Sequence, residues 1–116
     1  MSKKVRIFAV GKMEQEKIID SIKELAQRLL PEGVSLWLYG SRARGEARPD
    51  SDYDLLILVD KDRVTPDIDS AAYDLCLMGY DNGVEISPHI YPRKKWEEWT
   101  HSPFFKNVNR DKIELL

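Results

Sequence analysis

The chain has 116 residues, of which 42% are hydrophobic and 33% charged, and its formal net charge is -2. This length predicts one compact domain over residues 1–116, which buries roughly 65% of its unfolded surface and needs no disulfide or structural zinc. The slightly negative charge excludes a global attraction to nucleic acid, so any phosphate-binding surface has to be local.

Cysteine content and hydropathy favour a cytoplasmic protein. Cys76 is the only cysteine, which excludes an intrachain disulfide and a cysteine-based zinc site. The apolar run within residues 1–10 is too short for the core of a signal peptide, and no later stretch approaches the roughly 20 apolar residues of a membrane span. We therefore expect neither export nor membrane insertion.

The first half of the chain predicts a helix followed by a strand. Residues 5–9 alternate in polarity and fit either a short strand that ends at Gly11 or a loose arm. Residues 14–30 predict an amphipathic helix, because apolar side chains recur there at helical spacing. Pro31 and Gly33 end that helix, and the dense apolar run over 34–39 is typical of a strand covered on both faces.

The second half predicts two further strands and more helices. Residues 53–59 form another apolar run, which we expect to pair with the strand over 34–39. Thr65 and Pro66 suit the start of a helix that ends at Gly79. A third strand follows near residues 84–90, where Pro88 indicates an edge. A short helix after Pro92 and a mixed tail complete an α/β domain with a sheet of three to four strands.

The candidate phosphate-binding and metal-binding residues are concentrated at the end of the first predicted strand and the start of the second. Gly40 and Ser41 follow a strand directly, where a glycine lets a phosphate approach the backbone and a serine supplies a donor or an N-cap. Asp52 and Asp54 are two residues apart at the start of an extended run, so their side chains point to the same side of the strand. Paired carboxylates of this kind suit Mg²⁺, which completes its shell with water and substrate phosphate oxygens.

Further charged residues surround this pair. Glu85 is the candidate for a third carboxylate that would help to bridge two Mg²⁺ ions, since Val84 and Ile86 place it in the third strand, facing the same way as the aspartates. Arg42, Arg44 and Arg48 lie between the serine and the aspartates, where a guanidinium can neutralise a phosphate. A solvated basic turn is the alternative for the three arginines, and an ordinary exposed strand residue is the alternative for Glu85.

The two motifs together resemble a known family. Gly40-Ser41-Arg42-Ala43-Arg44-Gly45, followed by Ser51-Asp52-Tyr53-Asp54-Leu55, is similar to the signature of the DNA polymerase β-like nucleotidyltransferases, whose short members are called minimal nucleotidyltransferases. The resemblance implies a mixed-sheet α/β fold and Mg²⁺, two ions in the full scheme, on Asp52, Asp54 and Glu85. It also implies triphosphate binding at Gly40 and Ser41. We expect Arg42, Arg44 and Ser51 to take part in phosphate binding as well, and ATP to be the donor. Many members carry aspartate where this chain has Glu85.

The resemblance also implies a partner. Short relatives often pair with a small helical protein of the HEPN type, which they adenylylate or neutralise as antitoxins. Two hypotheses follow for this chain: a Mg²⁺-dependent transferase that moves a nucleoside monophosphate onto a hydroxyl acceptor, or a binding module that acts by docking to such a partner. We expect Trp96 and Trp99 to pack on the core; the alternative is that, together with Phe104 and Phe105, they form an exposed docking surface for such a partner.

Other functional interpretations of these residues are weaker. A calcium-binding EF-hand over residues 50–61 fails, because Leu55 replaces the glycine at its sixth position and Lys61 the glutamate at its twelfth. Cys76 lies on an apolar helix face and fits packing better than catalysis. His89 and His101 lack partners at metal-binding spacing, so we expect structural or surface roles for both.

Overall fold

The computed structural model describes the backbone of residues 3–116 and the side chains of residues 14–116. The helices are α1 (Lys3–Leu29), α2 (Ser41–Arg44), α3 (Pro66–Asp81), α4 (Arg93–Glu97) and α5 (Pro103–Asp111). The strands are β1 (Ser35–Tyr39), β2 (Tyr53–Val59), β3 (Ile86–Pro92) and β4 (Ile113–Glu114). No helix in this described part of the chain is both long and apolar enough to cross a membrane.

The four strands form one mixed sheet in the order β3-β2-β1-β4. The strands β1 and β2 pair antiparallel, as expected, and β2 and β3 pair parallel. Pro88 lies in β3 at an edge of the sheet, where its missing N–H breaks no ladder. The predicted mixed α/β architecture is thereby confirmed, and the short β4 adds a fourth strand from the tail.

A hydrophobic core lies on each side of the sheet. The first lies between the sheet and the pair α1 and α3, and it includes Ile22, Leu55 and Leu75, all fully buried. The second lies under α4 and α5 and contains Leu56, Trp96 and Val108. Alternate residues of β2 feed the two cores because side chains alternate across a strand. The sheet is therefore buried on both faces, which explains the unbroken apolar run of β2.

Two local expectations were wrong. The helix α1 begins at Lys3, so residues 5–9 are helical and Gly11 lies within the helix, because extending a helix that already exists is favourable and one glycine costs it only about 1 kcal/mol. Gly79 does not end α3 but is buried inside it, where a Cβ would lie 2.7 Å from Ile86 Cγ1. Close packing of α3 on β3 is the reason for this glycine.

The aromatic residues near the C-terminus pack on the core, as expected, and the alternative of an exposed docking surface is not met. Trp96 is 4% exposed, and its ring packs against those of Phe104 and Phe105 with centroid distances of 5.7 and 4.8 Å. Only Trp99 of the four reaches 38% exposure. These side chains form the second core because α4 and α5 fold back over the sheet, which burial of so much aromatic surface favours.

Candidate functional site

The turn between β1 and α2 brings the backbone against a carboxylate. Gly40 caps α2 with φ 78° and ψ −159°, a backbone region that side chains other than glycine avoid. Its carbonyl oxygen accepts hydrogen bonds from the amides of Ala43 and Arg44, at 3.0 and 3.1 Å. A Cβ on Gly40 would lie 2.5 Å from Asp54 Oδ2. The glycine is thus required both by the conformation and by the close approach of Asp54.

Ser41 is the first residue of α2 rather than its N-cap, which is Gly40. It directly follows the glycine that contacts Asp54, so the predicted phosphate-binding turn and the predicted metal ligands lie side by side. They meet because β1 and β2 pair antiparallel, which puts Tyr39, the last residue of β1, opposite Asp54.

Asp52 and Asp54 lie at the start of β2, on the side of the sheet that faces the second core. Asp52 precedes the strand and accepts a hydrogen bond from Ser87 Oγ at 3.1 Å. Burial, and then repulsion from Asp52, raise the pKa of the Asp54 carboxyl above its usual range. The two negative charges repel each other when both carboxylates are ionised. A bound cation would reduce this repulsion and so stabilise the ionised pair.

Two residues of β3 complete this surface and were not predicted from the sequence as parts of it. Ser87 is in register with Asp54, and His89 with Leu56. The His89 ring lies 6.1 Å from those of both Tyr39 and Phe104, and its charge opposes the rise in the pKa of Asp54. The period-two alternation that starts at Glu85 could have identified both residues, because positions 85, 87 and 89 share one side of the strand.

Arg42 is used by the fold and not left open for a phosphate. Its side chain is 9% exposed and stacks over the Tyr53 ring, 4.3 Å from the ring centroid. The guanidinium donates hydrogen bonds to the carbonyl oxygens of Ser51 and Pro49 and to Oε1 of Gln15. The expectation that Arg42 binds phosphate is therefore corrected: its planar fork of donors instead holds the turn over residues 49–51.

Arg44 and Ser51, two further residues of the predicted phosphate site, also have partners within the protein. Arg44 Nη1 pairs with Asp111 Oδ2 at 2.7 Å and thereby ties α2 to α5. Hydrogen bonds from Arg110 and Arg44 hold the pKa of Asp111 below its usual range. Ser51 Oγ accepts from the backbone amide of Arg48 at 2.8 Å, so this serine stabilises the turn. Arg48 itself is exposed.

Glu85 lies one residue before β3, and its carbonyl oxygen accepts from the amide of Tyr53 at 2.9 Å. It is exposed and borders a hollow of about 400 Å³ together with Asp50 and Tyr80. Within residues 14–116, whose side chains are described, no three His, Cys, Asp or Glu side chains are grouped closely enough to hold a metal ion. Asp52 and Asp54 are thus the carboxylates that the fold brings together.

A larger cavity of about 510 Å³ lies elsewhere, between α1 and the loop after α2. It is lined by Glu14, Arg42 and Tyr53 among others, and by neither aspartate. Tyr53 points to the opposite side of β2 from Asp52 and Asp54. We place the candidate site at the aspartates and Gly40. The two mutually repelling carboxylates, Asp52 and Asp54, lie there, and Asp54 approaches the Gly40 backbone closely.

The donor set fits a divalent cation that binds oxygen. Asp52 and Asp54 offer carboxylate oxygens on one side of the sheet, Ser87 orients one of them, and the missing Cβ of Gly40 lets the Asp54 carboxylate lie close to the backbone. Mg²⁺ is bound in proteins by one or two carboxylates with substrate phosphates completing its shell. The residues present are sufficient for that arrangement.

Comparison with known proteins identifies the family of this chain and agrees with its fold. A family model described as a nucleotidyltransferase domain matches residues 16–114. A solved toxin-antitoxin structure with AMP-PNP has a TM-score of 0.59 and 16% sequence identity, covering 84% of this chain and 72% of its own. A mutant of the toxin-antitoxin MntA-HpeT has a TM-score of 0.56 and 16% identity, covering 84% and 70%. No curated protein matches the sequence.

Proposed function

The chain belongs to the nucleotidyltransferase domain family, and from this premise we propose that it transfers a nucleoside monophosphate, AMP from ATP, to a hydroxyl acceptor with the help of Mg²⁺. The observation that carries the proposal is the contact between the Gly40 backbone and the Asp54 carboxylate, next to Asp52. It puts a phosphate-binding turn against two cation ligands.

In the proposed reaction the acceptor oxygen attacks the α-phosphorus, and the bond to the leaving pyrophosphate breaks. Asp52 and Asp54 would hold Mg²⁺, which when bound activates the acceptor hydroxyl and stabilises the charge on the pyrophosphate. The Ser87 hydroxyl fixes one carboxylate, and the backbone of Gly40 and Ser41 binds phosphate. Two ions and a third carboxylate, Glu85, belong to this proposal, supported by the position of Glu85 beside Asp52 at the entry to the paired strands.

Calorimetric titration of the four nucleoside triphosphates, with and without Mg²⁺, tests the site. We expect Mg²⁺-dependent binding, strongest for ATP, that disappears in the Asp52→Asn, Asp54→Asn double variant. We also expect Asp52→Asn alone to abolish transfer while leaving the fold intact, because it removes metal-binding charge without changing volume. Full activity of Asp52→Asn would reject the catalytic assignment.

Glu85→Gln is the separate test of the third carboxylate. A loss of Mg²⁺-dependent transfer with ATP binding retained is the result expected for a ligand of the second ion. An unchanged transfer rate would show that Glu85 is not needed and that Asp52 and Asp54 are the carboxylates that act in the reaction.

A second function is favoured by the solved neighbours, both of which are toxin-antitoxin structures. We propose that the chain also acts with a protein partner, a HEPN-type helical toxin, as an antitoxin that docks to it or modifies it. Co-expression with a HEPN-type helical protein, followed by size-exclusion chromatography and mass measurement, tests this function. Separate elution of the two proteins would count against it.

A further inference from the structure

The outer side of α3 carries an apolar stripe that the fold leaves uncovered. Tyr73, Leu77 and Tyr80 are spaced at i, i+4 and i+7, so they lie along one line of the helix. They are 64%, 43% and 82% exposed, while the opposite side of α3 is buried in the first core. Single exposed apolar residues are ordinary, but an aligned set with two tyrosines resembles the anchors of a binding surface.

The charged residues of α3 itself have one sign. The 16 residues of α3 include four aspartates and neither Lys nor Arg; the aspartates are Asp67, Asp69, Asp74 and Asp81. At its carboxyl end the stripe meets the hollow of about 400 Å³, which Tyr80 lines together with Asp50 and Glu85. The surface therefore has an apolar centre, an acidic rim and an acidic depression at one end.

This combination selects among possible occupants. Nucleic acid and anionic lipid are repelled by the aspartates. A second copy of the chain packing α3 on α3 would bring two sets of four aspartates together, and such like-charge contacts are unfavourable. A protein helix with apolar side chains flanked by Lys or Arg complements both the stripe and its rim.

We infer that the outer side of α3, defined by Tyr73, Leu77 and Tyr80, is a docking surface for a basic amphipathic helix of a partner protein, with a cationic side chain of that helix entering the hollow beside Tyr80. The inference deepens the proposed partner function and rests on it. The stripe itself is separate from the proposed transferase site, because α3 covers the opposite side of the sheet from the aspartates. The hollow, which Glu85 and Ser51 line, is the part that the two share.

The test uses two model peptides of about 20 residues, long enough to be helical. One has leucines at helical spacing flanked by lysines, and the other carries glutamates in place of the lysines. Fluorescence anisotropy should show that the full chain binds the lysine peptide and not the glutamate peptide. The Tyr73→Ser, Tyr80→Ser variant should weaken binding at least about tenfold, the effect of losing aromatic anchors.

Matched controls separate this surface from general charge attraction. Asp81→Lys reverses a charge next to Tyr80 at the end of α3. Glu97→Lys makes the same charge change on α4, on the other side of the sheet. We expect Asp81→Lys to weaken binding of the lysine peptide several-fold more than Glu97→Lys does. Equal effects of the paired variants would overturn the inference.

Two further results would also overturn it. The first is equal binding of both peptides to the wild type. The second is self-association in analytical ultracentrifugation that Tyr73→Ser, Tyr80→Ser abolishes, since the occupant would then be a second copy. Titration of ATP and Mg²⁺ into the same variant distinguishes the two functions, because we expect its nucleotide binding to be unchanged. If the wild type does not bind nucleotide, the transferase proposal is rejected and the docking inference is not.

Discussion

Asp54 has opposite effects on stability and on the proposed chemistry. Its pKa is raised by burial and by Asp52, so the folded state binds the proton of Asp54 more tightly than the unfolded chain does. By linkage, this residue's contribution to the free energy of unfolding falls as pH rises from about 4 through the raised pKa. At neutral pH the ionised Asp54 therefore destabilises the metal-free protein, while the same charge is what a cation needs.

Asp54→Asn should accordingly stabilise the metal-free protein at pH 7 by up to about 1 kcal/mol, since partial solvent screening limits the gain. Urea unfolding in EDTA measures it, and the difference from wild type should shrink towards zero below about pH 4. Mg²⁺ should stabilise the wild type and not the variant. As a control, Asp62→Asn changes a carboxylate with 92% side-chain exposure and should have little effect. A destabilised Asp54→Asn protein would contradict the assigned repulsion.

Gly40 and Gly45 allow backbone conformation to be separated from close contact. Both have positive φ, 78° and 76°, but only Gly40 has a side chain within reach of an added Cβ. Gly45→Ala should cost about 1 kcal/mol for its left-handed conformation. Gly40→Ala should cost about 2 to 3 kcal/mol, because its backbone region is nearly exclusive to glycine and the new methyl group meets Asp54.

Chemical denaturation of both glycine variants, together with ATP titration, checks this difference. Nucleotide binding should be lost in Gly40→Ala and kept in Gly45→Ala. Equal free energies of unfolding for the two variants would mean that the Asp54 side chain moves away from the new methyl group at little cost. The contact between Gly40 and Asp54 would then not constrain the site.

At the level of elements, Arg42 connects α2, the turn over 49–51 and α1. Its donors reach Ser51, Pro49 and Gln15, and Tyr53 supports its guanidinium from below. This one side chain sets how the turn at Gly40 and Ser41 is placed relative to the start of β2. A structural arginine in this position explains why the basic stretch between the two motifs is not simply a solvated surface.

Arg42→Lys should lower the free energy of unfolding by about 1 to 3 kcal/mol, because an ammonium group cannot satisfy the same carbonyl oxygens. The control Arg48→Lys, at an exposed position, should stay within about 0.5 kcal/mol of wild type. Thermal and urea unfolding measure both variants. Loss of nucleotide binding in Arg42→Lys with unchanged stability would support the original phosphate-binding interpretation instead.

At the scale of the whole molecule, one sheet supports both cores. The fully buried strand residues alternate between them, Leu55 and Ile57 facing α1 and α3 while Leu56 and Leu58 face α4 and α5. The tryptophans belong to the second core or contact it, whereas the longest helices cover the first. Fluorescence and far-ultraviolet circular dichroism therefore report on opposite sides of the sheet.

Leu75→Ala should lower the free energy of unfolding by about 2 to 5 kcal/mol, the usual cost of a cavity at a fully buried leucine. Although Leu75 lies in the first core, tryptophan fluorescence and helical circular dichroism should shift together, because neither core persists without the shared strands. Leu77→Ala, on the exposed side of the same helix, is the control and should have little effect. Separate transitions for the two probes would show that the cores unfold independently.

The amino-acid sequence by itself determined the family, the order of most elements and the aspartate pair, because these depend on local features. Glycine after a strand, alternation along β2 and helical spacing in α1 and α3 each follow from the conformations open to a few neighbouring residues. The pairing of β1 with β2 also followed, since both are unbroken apolar runs that have to be covered on both sides.

Only the tertiary structure decided how long-range partners are used. Arg42 reaches Gln15, 27 residues earlier, and Arg44 reaches Asp111. The aromatic tail became core, and the stripe on α3 became the exposed apolar surface, according to which helix covers which side of the sheet. Such choices depend on the packing of the whole chain, where burial and hydrogen bonding are satisfied together, and no local pattern encodes them.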